Sequence, residues 1–393
     1  MNNEDMLKLI QQGEDSRVQF KKMITRSDSL AAELVAFANS KGGKLIIGVA
    51  DNKQITGLSP EDIEHINQLI SNAANNLVRP AIYPETEIVT IGETLVLVIL
   101  VNEGISKPYQ DNQGSIWVKS GSDKRRVTAR EEIQRMLQSS GSLYSDEIKI
   151  AGSSIDDIDS NTFSNFFYKQ YEKSLEAFLK EQTTTFQKLL NNLVLANGSN
   201  LNLAGLMLFG KNPQRYRPID VVKAISFVGN DDTGSEFRDK EDIEGCLISL
   251  YKQTMSFLTR NLRKTQSKDG FNTGGSLEVP LVVLEELIAN MLIHRDYFIS
   301  APCRVMIFDD RIELINPGSL PNSLQLENIL NGISVIRNPI LASYAAKKGY
   351  DMPYSGLGTG IRRALKAEPD LKFEADYKRN LFIAIIPRKE SYR

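Results

Sequence analysis

The stretch 285–297, EELIANMLIHRDY, constrains the fold of this chain more than any other. Residues four apart on a helix share a face, so Glu286, Asn290 and His294 form one polar stripe. Val283, Leu287, Ala289 and Ile293 flank that stripe, and Leu284, Ile288, Met291 and Leu292 cover the opposite side. A helix apolar nearly all round is a buried one. A buried carboxylate and amide cost roughly several kcal/mol unless something satisfies them, either another part of the protein or a ligand. Beyond the stripe, Arg295 and Asp296 read as a local ion pair.

With 393 residues the chain has room for two or three domains with real cores. Its opening, MNNEDMLKLI, lacks the basic flank and apolar run of a secretory signal. The longest strongly apolar run, Leu95 to Val101, falls far short of the roughly 20 residues that cross a bilayer. The expectation is therefore a cytoplasmic protein with no membrane partner. Cys246 and Cys303 stand alone in sequence, which supports neither a disulfide framework nor a zinc cluster. His65 and His294 are the only histidines, so a metal would rest chiefly on oxygen ligands and be magnesium or manganese rather than zinc. A net charge of −2 gives no global attraction for nucleic acid, so any such binding has to come from a local patch.

Residues 28–39, DSLAAELVAFAN, have helical spacing and stop at Gly42-Gly43, followed by a strand in KLIIGVAD. Ser59-Pro60-Glu61-Asp62 opens a helix with a capping serine, proline at the first position and acid in the first turn. EIVTIGETLVLVILV reads as a hairpin through Gly92-Glu93, and GSIWVKS as a strand before a helix capped by Thr128. Residues 1–138 thus form one α+β unit. A Ser-, Gly- and Asp-rich stretch marks a boundary near residue 140. It begins a helical connector, 139–199, with two helices over roughly 159–196. The remainder, 200–393, holds a long helix over 240–263, the striped helix, a strand pair in CRVMIFDDRIELINPG, a helix near 338–348 and a last strand in RNLFIAIIP. The fold class expected is α+β.

Two glycine turns follow the stripe. RIELINPGSLP sets a strand against Asn316-Pro317-Gly318, and SGLGTGIRRAL places Gly356, Gly358 and Gly360 at the start of a helix. Glycines there let backbone amides approach an anion, and a helix N-terminus favours negative charge. That is a way to hold phosphate.

The order of these pieces resembles the Bergerat ATP-binding fold of the GHKL ATPases. The closest likeness is to the divergent, RecG-related branch of bacterial transcriptional regulators, on LIANMLIHRDY, INPGSLP, IRNP and GLGTGIRR over residues 200–393. The resemblance implies a Bergerat-like α/β sandwich with ATP and Mg2+ as cofactors. Asn290 would ligate the magnesium, and Glu286 would orient or deprotonate the attacking water of a weak ATPase. His294 would reach a phosphate or a magnesium-bound water, and Gly356, Gly358 and Gly360 would line the triphosphate. Asn316 and Gly318 form the turn where standard members carry an aspartate that accepts from the adenine amino group. An amide oxygen accepts less strongly than a carboxylate.

The N-terminal EDSRVQFKK followed by AFANSKGGKLIIGV resembles the Schlafen AlbA-like domain over residues 12–130. Arg17, Lys21, Lys22 and Arg26, then Lys41 and Lys44, then Lys119, Lys124, Arg125 and Arg126 form basic groups of the kind that contact the phosphates of DNA or RNA. Some Schlafen-type domains are metal-dependent endoribonucleases. Their pattern falls here on Glu14 and Asp51 as metal ligands, with neutral Gln19 where a second glutamate stands, which lowers affinity for a dication.

The sequence reading is thus a homo-oligomeric, nucleic-acid-binding transcriptional regulator in which ATP orders the loop between Ile333 and Gly360. One alternative is the Schlafen-type endoribonuclease centred on Glu14 and Asp51. Another is a non-catalytic interaction protein whose nucleotide site is degenerate.

Overall fold

The alternation of amphipathic helices with β-branched runs is realised as two main sheets, one in each of two compact units, Met1–Leu143 and Tyr144–Arg393. The structure is a computed structural model, and it describes residues 3–234, 236–265, 276–321 and 324–388. Its class is mixed α+β.

The first unit runs α1 (Asn3–Gln12), β1 (Val18–Lys21), α2 (Ser27–Asn39), β2 (Gly43–Ile47), α3 (Pro60–Asn72), β3 (Val78–Arg79), β4 (Glu85–Ile91), β5 (Thr94–Val101), β6 (Gln110–Asp111), β7 (Trp117–Ser120), β8 (Asp123–Arg126) and α4 (Arg130–Ser139). The main sheet has the order β1-β2-β5-β4. β1 and β2 are parallel, joined through α2, and the other pairings are antiparallel. Alternation along β2 sends Leu45 and Ile47 to a core with Leu30, Leu34 and Phe37 of α2, and Ile46 to a second core with Met6 and Ile10 of α1. Helix α3 begins at the Ser59–Asp62 capping box, as its sequence reads. The hairpin turns between Ile91 and Thr94, also as read. Thr128 caps nothing. Helix α4 starts at Arg130 behind Ala129, whose side chain has no oxygen to offer a helix amide.

AFANSKGG is an assembly device. The Asn39 amide donates to Tyr109 O at 2.8 Å and Trp117 O at 2.9 Å and accepts from Tyr109 N at 2.7 Å, tying the β6–β7 segment to the end of α2. Ser40 Oγ accepts from Lys119 N at 2.8 Å. A Cβ on Gly43 would lie 2.5 Å from Arg17 O and from the Phe37 ring, so only glycine lets β2 lie this close to α2.

The second unit runs α5 (Ser160–Tyr171), α6 (Leu175–Glu181), α7 (Phe186–Asn192), β9 (Ala196–Asn197), β10 (Asn200–Leu201), α8 (Leu203–Phe209), β11 (Val222–Phe227), β12 (Phe237–Ile243), α9 (Leu247–Asn261), β13 (Lys264–Thr265), β14 (Ser276–Leu277), α10 (Leu281–Ile293), β15 (Cys303–Ile307), β16 (Arg311–Pro317), α11 (Leu326–Leu330), α12 (Pro339–Ala345), α13 (Gly360–Ala367), β17 (Lys372–Asp376) and β18 (Leu381–Pro387). Its sheet has the order β12-β11-β15-β16-β18-β17, with β11 and β15 parallel and the rest antiparallel.

Residues 144–199, set apart in sequence as a connector, fold into this unit and hold three helices rather than two. Phe163, Phe167 and Leu190 join the same core as Leu284 and Ile288 of α10. The Phe163 ring meets that of Phe209 edge-on at 5.1 Å. The helix expected over 240–263 begins only at Leu247. The alternating charges of FRDKEDI make an edge strand on β11, and Gly245, at φ +119°, separates strand from helix. Among the described residues no helix is long and apolar enough to cross a membrane.

Candidate functional site

Helix α10 buries nine of its thirteen residues, and its apolar sides give it no way to leave the core. It packs on the sheet face carrying Ile312 and Leu314 of β16 and Ala384 of β18. Asn316 continues the two-residue alternation of β16 onto that face and stands opposite Phe382. A cavity of about 130 Å³ opens between this face, α10 and the glycine bends at Gly318 and 356–360. That volume is close to the roughly 150 Å³ in which an engineered apolar cavity takes up benzene. Glu286, Asn290, His294, Asn316, Gly318, Gly356, Gly358 and Gly360, the residues singled out in sequence, all line it.

The polar stripe is partly answered from within. Glu286 pairs with Arg363 of α13, whose side chain is half exposed. Burial raises the Glu286 pKa, Arg363 pulls it down, and Glu285 adds a smaller upward push. The Asn290 amide, one turn along, makes no hydrogen bond among the described residues. Gly360 brings α13 against both, since a Cβ there would overlap Glu286 Oε2 and lie 3.4 Å from Asn290 Nδ2. Gly318, at φ +98°, is equally confined: a methyl would stand 2.5 Å from Arg337 Nη1 and 2.6 Å from Asp296 Cβ.

His294 ends α10, and its Nε2 lies 3.1 Å from the Tyr354 hydroxyl. Burial, with the Arg337 charge adding to it, lowers its pKa to about 4, so the ring is neutral near pH 7. An unfolded histidine titrates near 6.5, so between about 6.5 and 4 the unfolded chain binds the extra proton. The stability this neutral ring confers is full above about pH 6.5 and declines as pH falls, by at most about 1.4 kcal/mol per pH unit. Asp146 acts in the opposite sense. Burial raises its carboxyl to about 6, so its native form holds the proton more tightly and stability falls as pH rises through that range. A His294→Gln variant separates the two. The wild-type advantage over it in urea unfolding is expected to shrink between about pH 7 and pH 4.5, whereas a constant difference would mean that His294 titrates as in a free peptide.

Arg337, not singled out in sequence, is central here. Its half-buried guanidinium donates to His294 O at 3.1 Å and Ser319 O at 2.6 Å, fastening the end of α10 to the loop after β16, and it lines the cavity. The signal was a lone arginine in IRNP, between the two glycine turns. Asn338 beside it donates to Ile293 O and Arg295 O, each at 2.8 Å, satisfying carbonyls that a helix end leaves open. Arg295 does not pair with Asp296. With the helix ended at Ile293 the two side chains diverge, and Arg295 lies 2.9 Å from buried Asp220.

In the first unit, folding uses much of the basic set. Lys119 donates to Gln19 Oε1 at 2.7 Å and Ser122 O at 2.6 Å and sits over the Phe37 ring, and burial lowers its pKa. Lys124 pairs with buried Glu33 at 2.5 Å, Arg125 with Glu132 at 2.6 Å, Lys41 with Glu103 at 3.6 Å and Arg26 with Asp28 at 3.8 Å. Lys44 also has a partner. Arg17, Lys21, Lys22 and Arg126 make no ion pair among the described residues, and all but Lys21 are exposed. Glu14 Oε1 accepts from Phe20 N at 2.7 Å, and Asp51 is exposed in a turn. Among the described residues no three His, Cys, Asp or Glu side chains form a group able to hold a metal.

The chain carries two known modules. Residues 14–128 match the family "Schlafen, AlbA_2", and residues 300–382 match "Putative ATP-dependent DNA helicase recG C-terminal", a HATPase-type domain. The first match lies within the first unit and the second within the second unit, where it begins after α10. The pairing is that of a nucleic-acid-related protein with an ATPase-type domain. Among solved structures, the DIP2311 protein from Corynebacterium diphtheriae is 19% identical over 98% of this chain and 80% of that one, with TM-score 0.48. The N-terminal domain of a RecG-related protein from Nitrosomonas europaea is 22% identical over 33% of this chain and 96% of that one, with TM-score 0.23. No curated protein matches the chain.

Proposed function

We propose that the second unit binds a nucleoside triphosphate, ATP with magnesium, in the cavity under α10, and that the first unit binds nucleic acid, making the protein a nucleotide-responsive transcriptional regulator. The observation that carries this reading is the unpartnered Asn290 amide in a cavity wall facing the glycine bend at 356–360. A side-chain oxygen suits magnesium, and backbone amides at a helix start suit phosphate, so these residues fit the pair. Asn290 would hold the metal, the bend would hold the phosphates, and Phe373 and Phe382 would lie against the base. Magnesium supplies neutralisation of the phosphate charge when bound. Glu286 is occupied by Arg363, so the reading is one of binding, with hydrolysis slow.

Thermal and chemical unfolding with ATP tests it. At about 100 times its dissociation constant a ligand adds about 2.7 kcal/mol, so ATP with magnesium is expected to raise stability by that amount. EDTA, or Asn290→Ala, is expected to remove most of the gain. No stabilisation at millimolar ATP would end the proposal. For the first unit, Lys22→Ala with Arg126→Ala removes two exposed charges that have no internal partner. If both contact duplex phosphates, the dependence of log binding constant on log salt is expected to become shallower by about 1.8. An unchanged slope would place nucleic acid elsewhere. The nuclease alternative is not favoured, because Glu14 serves Phe20 N and Gln19 serves Lys119.

A further inference from the structure

Asn316 lines the cavity while only 6% exposed, so its carboxamide is oriented by what surrounds it. Its Oδ1 accepts from Cys303 Sγ at 3.5 Å. Cys303 sits fully buried behind it on β15, and burial raises the thiol to about 11, leaving it protonated and able to donate at neutral pH. The amide nitrogen has no partner among the described residues. Leu314, Phe373, Phe382 and Ala384, which line the same sheet face, offer it only hydrocarbon. With its oxygen turned to the Cys303 thiol, the amide turns its nitrogen, which carries two N–H donors, the other way.

We infer that Asn316 makes this cavity select a base with a carbonyl on its hydrogen-bonding edge, an oxo-purine such as hypoxanthine or guanine, over adenine. Adenine would set its amino group against the Asn316 amino group, donor facing donor. An oxo-purine sets a carbonyl oxygen there and satisfies both sides. The inference rests on the nucleotide reading of the cavity, and it adds which base the cavity takes. ATP still enters through its phosphates and metal; ITP, with an oxo group where ATP has an amino group, enters more tightly.

Calorimetric titration of the full chain with ATP, ITP and GTP, each with magnesium, tests this. ITP is expected to bind about tenfold more tightly than ATP, the size of one net hydrogen bond made against one left unmade. Asn316→Asp turns the donor into an acceptor and is expected to reverse the order. Cys303→Ala frees the amide to rotate and is expected to bring ITP and ATP within about twofold, while Cys303→Ser, which keeps a donor, retains the preference. The wild-type contrast needs no substitution, so a variant that fails to fold leaves the test intact. ATP binding as tightly as ITP overturns the inference while leaving the nucleotide reading in place. No triphosphate binding at all overturns both.

Discussion

Replacing Arg295 with alanine is expected to destabilise the second unit by about 3–5 kcal/mol, the cost of leaving one member of a buried ion pair without its counter-charge. Asp220 is fully buried and Arg295 nearly so. Their closest atoms lie 2.9 Å apart, but the approach lacks hydrogen-bond alignment, so the attraction is mainly ionic. Arg295 also donates to Ala301 O at 2.7 Å, and Arg217 donates to the other oxygen of Asp220 at 2.8 Å. Alanine would strand the carboxylate with only the partly exposed Arg217. Removing both charges, as in Asp220→Leu with Arg295→Met, should recover much of the loss, because the penalty belongs to the unpaired charge rather than to the lost pair. Urea unfolding of both variants decides it. A loss below about 1 kcal/mol for Arg295→Ala would mean that water reaches Asp220.

Gly360→Val is expected to cost about 1–3 kcal/mol by overpacking and also to abolish the stabilisation by ATP. Any Cβ at this position overlaps Glu286 Oε2 and comes within 3.4 Å of Asn290 Nδ2, and valine adds two methyl groups to it. Glu286 has little freedom to retreat, being buried in α10 and tied to Arg363. Relief has to come from moving α13 away, which displaces the glycine bend in the cavity wall. Gly360→Ala should give a smaller loss of the same kind. Unfolding with and without ATP separates the two parts. A valine variant that is destabilised yet still fully stabilised by ATP would show that the ligand does not touch this wall.

Side-chain periodicity made much of this legible in the sequence. Spacing alone placed Glu286, Asn290 and His294 on one stripe, and the resemblance carried by the ordered glycine turns assigned Asn316, Gly318, Gly356, Gly358 and Gly360 to the same site. The Ser59 cap and the β4–β5 hairpin were legible because their signals are local. What sequence did not reveal depends on partners far along the chain. Residues 240–243, read as the start of a helix, belong to a strand because β11 offers FRDKEDI an edge. Arg295 looks paired with its neighbour until the fold delivers Asp220. The basic residues of the first unit stand out as charges, but the carboxylates that neutralise Lys124 and Lys41 appear only once α2 and the loops are assembled. Arg337 was visible as a letter and not as a clamp, since both carbonyls it binds belong to distant segments.

The knot of hydrogen bonds around Asn39, with Gly43 wedged beneath Phe37, has a bearing on how such chains are recognised. The letters that most readily betray this domain describe joinery, in which the exposed side chains of Arg17, Lys22 and Arg126 form no ion pair among the described residues. A descendant could lose each of those outward charges and still answer to the same signature, so kinship in this region reports carpentry rather than occupation.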